Sequence, residues 1–321
     1  MVIIMTVPQI KKKKELNVNL LIWDELTWID IERPTDKEAA YLAEHYSFHP
    51  LDLDDILSRI QRPKIDEYKD YLFLVFHFPI YRKWERVLTS SQVSVFIGQN
   101  YLITIHEGEL KPLVKLFREC QIDEGARQEY FSQGSGFLLY HILDRLIDYC
   151  LPILDKVGSS IEDVEEDIFS DSKRSIIREI SMIRRDIISF RRIIWPMRAV
   201  IGSLEPRVSR FVKKTDLSVY FGDMIDHADK IWDGLDEYKE IIEGLNDTHD
   251  SLATNRTNEV VRMLTIIATI LLPITVVASI FGMNIPLGPF EVRGYSFLLV
   301  SLIMLGVIGG MLYFFRRIRV I

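Results

Sequence analysis

The sequence predicts an α+β cytosolic domain, then a long stalk helix, then two C-terminal transmembrane helices. Strand and helix signals alternate between residues 20 and 110 and then give way to helical periodicity alone. After Asp216 no proline occurs until Pro273, while apolar residues keep stepping by three or four. Two uncharged runs close the chain, Met263–Phe290 and Ser296–Phe315. Each reaches the ~20 residues that a helix needs to cross ~30 Å of hydrocarbon. The expected boundaries are 1–125 for the α/β domain, 126–215 for a helical hairpin region and 216–262 for the stalk helix. They continue with 263–284 for the first transmembrane helix, 285–295 for an extracellular loop, 296–315 for the second transmembrane helix and 316–321 for a basic cytosolic tail.

Within the first region, Leu20–Trp23 and Trp28–Ile31 read as short strands. Asp36 is the expected cap of a helix whose apolar face is Ala39, Ala40, Leu42 and Ala43. Pro50 opens a second short helix through Leu57, because a helix needs no N–H at its first position. The dense apolar run Tyr71–Phe78 reads as a buried strand. Gln92–Ile97 and Tyr101–His106, joined by Gly98-Gln99-Asn100, read as a hairpin. Together they predict a mixed sheet with helices.

From Glu109 onward the strand signal disappears. Phe137–Val157, Ile161–Phe169 and Ile176–Val200 carry apolar residues in helical register, and Trp195-Pro196 is expected to break or kink the last. Gly202 and Pro206 mark a connection. Beyond it Ile225, Ala228, Ile231, Trp232, Leu235, Tyr238, Ile242 and Leu245 form one stripe. They predict a single helix that leaves the soluble domain and becomes the first crossing, roughly 95 Å long if unbroken from about 220 to 284. A single chain is expected to lack the material to cover that stripe, so self-association into a ring is the economical solution.

The chain carries a net charge of −7. Residues 263–321 hold one acid, Glu291, against four arginines, Arg293, Arg316, Arg317 and Arg319, which is +3 and leaves −10 on residues 1–262. A body of that charge repels polyanions and excludes a generic nucleic-acid binder. It fits a protein that handles cations, though composition alone favours plain solubility as the reason for mild acidity. Cys120 and Cys150 make no disulfide framework and no C-x-x-C knuckle, so a reducing compartment is expected. The apolar start Met1–Met5 is too short for a signal peptide, and the basic run Lys11–Lys14 lies on the wrong side of it. Arg256 and Arg262 precede the first crossing, Arg316, Arg317 and Arg319 follow the second, and Arg293 alone lies between. The positive-inside rule puts both termini in the cytosol and the loop outside, in a plasma (inner) membrane.

Two crossings cannot enclose a conduit, so a transport role demands an oligomer with the first crossing as its lining. Stepping at 3.6 residues per turn from Asn258 gives Val261, Leu264 or Thr265, Ala268, Leu272, Thr275 and Ser279. That face is small and weakly polar, with Leu264 and Leu272 as apolar constrictions. Threonines and serines bonding back to their own helix would give the same pattern in plain packing.

Gly282-Met283-Asn284 at the outer end of the penultimate crossing, with two C-terminal crossings and a basic tail, resembles the CorA family of metal-ion transporters. The likeness extends over His49-Pro50-Leu51, Arg62-Pro63-Lys64 with Tyr68 and Tyr71, Thr257–Val260, Leu264–Ile267 and Pro273. The resemblance implies a funnel-shaped homopentamer in the lipid bilayer and passive influx of Mg²⁺, often with Co²⁺ and Ni²⁺. It implies Gly282, Met283 and Asn284 as the selectivity filter. Mg²⁺ sheds water reluctantly, so five neutral amide oxygens suit recognition of the hydrated ion. Gly282 lets the backbone turn, and Met283 packs, since a thioether is too soft for Mg²⁺.

By position the family's lining falls on Thr275, Leu272, Ala268, Leu264, Val261 and Asn258, with the two leucines as a hydrophobic gate and Thr275 and Asn258 as polar way-stations. Arg316, Arg317 and Arg319 fall on its basic collar, a place where headgroup anchoring is the competing role. Its regulatory cytosolic acids match Asp223 and Asp247, with Asp226 and Glu243 beside them. Where members commonly carry a partner acid this chain has Tyr81-Arg82, and a guanidinium there suits pairing with Asp223 of the next subunit in place of a metal. The loop Ile285–Pro289 replaces the commoner aromatic and acidic one, so cations should concentrate less at the mouth.

His45 and His49 have zinc-pair spacing, but Pro50 disfavours helix at His49 and no third ligand is apparent. The acidic run Glu162–Asp167 reads as a solvated helix face, with Arg184, Arg185, Arg191 and Arg192 neutralising it across a hairpin. There is no Walker motif, so no nucleotide coupling is expected; no Ser-His-Asp or Cys-His arrangement can be argued, and neither an organic cofactor nor an enzyme is expected. The competing readings are a ZntB-type zinc transporter, against which Met283 speaks, and a non-conducting membrane-anchored cation sensor.

Overall fold

The computed structural model describes residues 16–58, 61–82, 84–169, 176–283 and 296–317. Two compact units meet at Asn246 and Asp247.

The first unit is built on a six-stranded sheet. Its strands are β1 (Val18–Trp23), β2 (Leu26–Glu32), β3 (Lys64–Glu67), β4 (Tyr71–Arg82), β5 (Val87–Gly98) and β6 (Tyr101–His106), in the order β1-β2-β6-β5-β4-β3. Among the described strands only β2 and β6 pair in parallel, with Ile29 opposite Ile103; the other neighbours are antiparallel. A parallel pair needs a crossover, and α1 (Asp36–His45) and α2 (Pro50–Asp55) lie within it. They cover one sheet face, where Leu42, Phe48 and Ile56 pack with Ile29, Ile31, Phe73, Val75, Phe96, Ile103 and Ile105. Each such side chain contributes about 1.5–3 kcal/mol by leaving water.

Three local expectations change. The cap of α1 is Thr35 rather than Asp36, and Thr35 with Glu38 forms a capping box. Thr35 N donates to Glu38 Oε2 at 2.8 Å and Asn17 N to Oε1 at 2.9 Å. β4 runs on past Phe78 and Pro79 to Arg82, paired opposite Val87. β3 gave no apolar signal because it is an edge strand of sequence Lys-Ile-Asp-Glu, and edges are commonly charged.

On the other sheet face Trp28 packs edge-on against Phe117, centroids 4.8 Å apart, and donates from Nε1 to Thr104 Oγ1 at 3.0 Å. Phe117 belongs to α3 (Lys111–Ile122); α4 (Glu124–Phe131) and α5 (Ser135–Asp148) follow. The expected helix Phe137–Val157 divides at Tyr149, and α6 (Cys150–Phe169) is continuous where a break after Val157 was expected. Pro152 fits in the first turn of α6, which needs no N–H there. Ser159 and Ser160 return their hydroxyls to Asp155 O and Lys156 O, so the Gly-Ser-Ser stretch stays helical. Helix α7 (Ile176–Gly202) contains Pro196 without ending there. A short α8 (Glu205–Val208) and a 3-10 turn at Ser209–Phe211 lead into α9 (Ser218–Phe281), 64 residues in one helix.

Much of the stripe on the first half of α9 is covered without a second chain. Of its residues Ala228, Ile231, Leu235, Ile242 and Leu245 are buried, with Phe221 and Met224 beside them, while Ile225, Trp232 and Tyr238 are half-buried. Tyr140 of α5 packs near Phe221, Leu154 of α6 lies against Gly234, and Trp195 of α7 meets Trp232 with centroids 4.9 Å apart. Three arginines of α7 pair with this same helix, while Arg185 turns to Asp186 and the Arg86 carbonyl. Arg184 pairs with Glu243, Arg191 with Asp236 and Arg198 with Asp229.

The second unit holds the rest of α9 and α10 (Ser296–Arg317). Both helices are long and apolar enough to cross a membrane, and their apolar windows are wholly unburied.

Candidate functional site

Over its last half α9 presents Asn258, Val261, Leu264, Ala268, Leu272, Thr275 and Ser279, every one exposed. At about 100° per residue they fall within roughly a third of the helix circumference. The sequence stepped out this face, and the helix carries it unbroken through Pro273. Thr265, Thr269 and Thr275 donate their hydroxyls to Val261 O, Thr265 O and Leu271 O at 2.7–2.9 Å. Those bonds satisfy the hydroxyl protons and leave oxygen lone pairs as acceptors for a water molecule.

At the end of α9, Gly282 N donates to Ala278 O at 2.9 Å and Met283 N to Ile280 O at 3.4 Å. A Cβ on Gly282 would approach Ala278 O to 3.1 Å, closer than a side chain comfortably sits. Met283 is exposed. Asn284 lies outside the described residues, as do Glu291, Arg293 and Arg319; Arg316 and Arg317 form the exposed basic last turn of α10.

The first unit holds a second cluster. Asp144 of α5 and Asp223 and His227 of α9 offer ligand atoms that all lie within 4.8 Å of one another. His227 Nδ1 is 3.2 Å from Asp148 Oδ1, and Nε2 is 4.0 Å from Asp223 Oδ1. Burial, then the charges of Asp148 and Asp223, raise the Asp144 carboxyl above its usual range. Three carboxylates around one imidazole make a place of negative potential that favours a cation. Octahedral Mg²⁺ at about 2.1 Å needs donors about 3 Å apart for neighbours and about 4 Å for opposites, so this group suits an ion that keeps several waters.

Of the two acids singled out from the sequence, Asp223 belongs to this cluster and Asp247 does not. Asp144 and His227 were missed. Asp223 and His227 stand four apart on one helix, a visible spacing, but the approach of α5 is tertiary. Arg82 pairs within its own chain, with Glu109 at 3.2 Å and Glu85 at 3.8 Å. His49 is the cap of α2, its Nδ1 accepting from Leu51 N at 3.3 Å.

Residues 23–317 match the family described as CorA-like Mg²⁺ transporter protein. The chain is 32% identical to a cobalt/magnesium transport protein CorA of Thermotoga maritima, over 91% of this chain and 82% of that one. In fold it is similar to the complete CorA magnesium transporter from Methanocaldococcus jannaschii, with a TM-score of 0.81 at 24% identity, over 93% and 94% of the two chains. The ZntB cytoplasmic domain from Vibrio parahaemolyticus is a more distant likeness, with a TM-score of 0.59 at 13% identity over 75% of this chain and 96% of that one.

Proposed function

The chain belongs to the CorA family of divalent metal-ion transporters, and from that premise we propose that it is a channel-like importer of Mg²⁺. In this reading five copies surround one axis, with both termini in the cytosol. A ring of Asn284 amides, set by Gly282 and Met283, accepts hydrogen bonds from the waters of the hydrated ion. The ion then passes Ser279, Thr275, Leu272, Ala268, Leu264, Val261 and Asn258. Rings at Leu272 and Leu264 close the path by dewetting, and Thr275 and Asn258 hold the hydrated ion between them. Membrane potential drives the flux, at about 2.3 kcal/mol per charge per 100 mV. Arg316, Arg317 and Arg319 form a basic collar at the cytosolic end.

The observation that carries this reading is the exposed, weakly polar face on a continuous α9, with acceptor oxygens and two apolar constrictions in register. The cytosolic cluster around Asp223, with Asp144 and His227, is the proposed sensor that favours the closed pore when divalent cation is plentiful, with Asp247 a further acid along the same helix. Co²⁺ and Ni²⁺ are proposed as additional cargo.

Purified protein in liposomes tests the proposal. Potential-dependent Mg²⁺ entry, blocked by an inert hexammine cation, is expected. Zn²⁺ flux coupled to protons would replace it with a zinc transporter, and absence of any flux would leave a cation sensor.

A further inference from the structure

A cavity of about 250 Å³ opens at the carboxyl ends of the parallel strands β2 and β6, and none of its lining residues belongs to the acidic cluster. Crevices at such strand ends are where open α/β sheets bind small molecules. Its floor is the stretch of β5 that α1 and α2 leave uncovered. By strand alternation Ser90, Gln92 and Ser94 share the face that carries Phe96 and, on β4, Val75. An apolar sheet face therefore turns polar within the cavity.

The polar groups are held in place. Gln92 Nε2 donates to Ser94 Oγ at 3.1 Å, which turns the amide oxygen away as an acceptor. That oxygen is buried and has no hydrogen-bond partner among the described residues. An acceptor left so is unfavourable, and a ligand N–H or O–H that reached it would satisfy it. At the rim Arg33 is held in a left-handed conformation, φ 56°, uncommon for a residue with a Cβ. Its N–H donates to His106 O at 2.8 Å and its Nε to Glu107 O at 3.4 Å, so the two loops are tied together. Arg82 stands opposite, paired with Glu109.

Charge narrows the ligand. Among the described residues two arginines and two glutamates, Glu107 and Glu109, line the cavity, so these charges balance and a polyanion gains little from them. A small zwitterion uses every group: a carboxylate on the Arg33 guanidinium, and an ammonium shared by the Gln92 amide oxygen and the glutamates. We propose that this cavity binds a free α-amino acid or a zwitterion of like size in the cytosol.

Isothermal titration of the detergent-solubilised full chain in Mg²⁺-free buffer, with L-serine, L-lactate and ethanolamine as probes, tests this. L-serine is expected to bind, with lactate and ethanolamine each at least about tenfold weaker, a difference of about 1.4 kcal/mol. Gln92→Leu and Arg33→Asn should each weaken L-serine about tenfold or more. Arg33→Asn is the control for folding, because asparagine tolerates the left-handed backbone. Equal binding of lactate, L-serine affinity untouched by Arg33→Asn, or no binding by any probe overturns the proposal.

Discussion

The guanidinium carbon of Arg191 on α7 lies 4.4 Å from the ring centroid of Trp232 on α9, and the same side chain pairs with Asp236 one turn further on. Stacking and ion pairing by one arginine fasten the stalk to the domain that carries it. An exposed cation–π contact is worth about 0.5–1 kcal/mol. Arg191→Ala should therefore lower unfolding stability by at least about 0.5 kcal/mol, measured by denaturant titration. In a double-mutant cycle with Trp232→Ala the coupling should be at least about 0.5 kcal/mol, whereas strict additivity would mean that the two groups act separately.

His141 is pressed among Tyr130, Phe137 and Tyr140, and its Nε2 is buried without a hydrogen-bond partner among the described residues. Burial, then the nearby Arg145 charge, push its pKa from 6.5 down to about 4. The unfolded chain thus binds a proton that the fold refuses between those values. Stability from this group is full above pH 6.5 and falls as pH drops towards 4, by up to about 3 kcal/mol. His141→Phe should flatten that part of the stability–pH curve; an unchanged slope would remove His141 as its source.

Asp144 is raised, not lowered, so its ionised form burdens the metal-free fold once pH exceeds its folded value. Asp144→Asn should raise the metal-free melting temperature near neutral pH. Both it and Asp223→Asn should cut the Mg²⁺-induced gain in melting temperature by about half or more, since only the folded cluster binds the ion. A full Mg²⁺ shift in both variants would dismiss the sensor role.

Along the pathway, Asn284→Ala should lower selective Mg²⁺ flux at least about tenfold, equivalent to 1.4 kcal/mol of barrier, with the oligomer intact on size exclusion. Normal flux in that variant would rule out the amide ring.

The two leucines predict the opposite sign. Leu264→Ser or Leu272→Ser wets a constriction, so flux at high internal Mg²⁺ should rise several-fold over the native chain. A variant that stays shut would place the gate elsewhere.

Much of this was legible in one dimension because the physics there is periodic. The apolar spans are read by length against bilayer thickness, and the face from Asn258 to Ser279 by 3.6-residue stepping. Strands such as Tyr71–Phe78 announce themselves by a dense apolar run, although β4 continues through Pro79 where propensity stops. β3 was silent because a charged edge strand is recognisable only once a neighbour pairs with it.

By itself the sequence determined the alternation of strand and helix before residue 110, the two apolar spans, the single long helix and the family, since each depends on spacing along the chain or on a short motif. Tertiary structure alone decided which partners meet across it. It sent Arg184, Arg191 and Arg198 of α7 to α9 and buried most of the stripe on the first half of α9 within one chain. It also brought Asp144 beside Asp223 and His227. These are contacts between residues tens of positions apart, and their energies depend on distances that only the packed helices set.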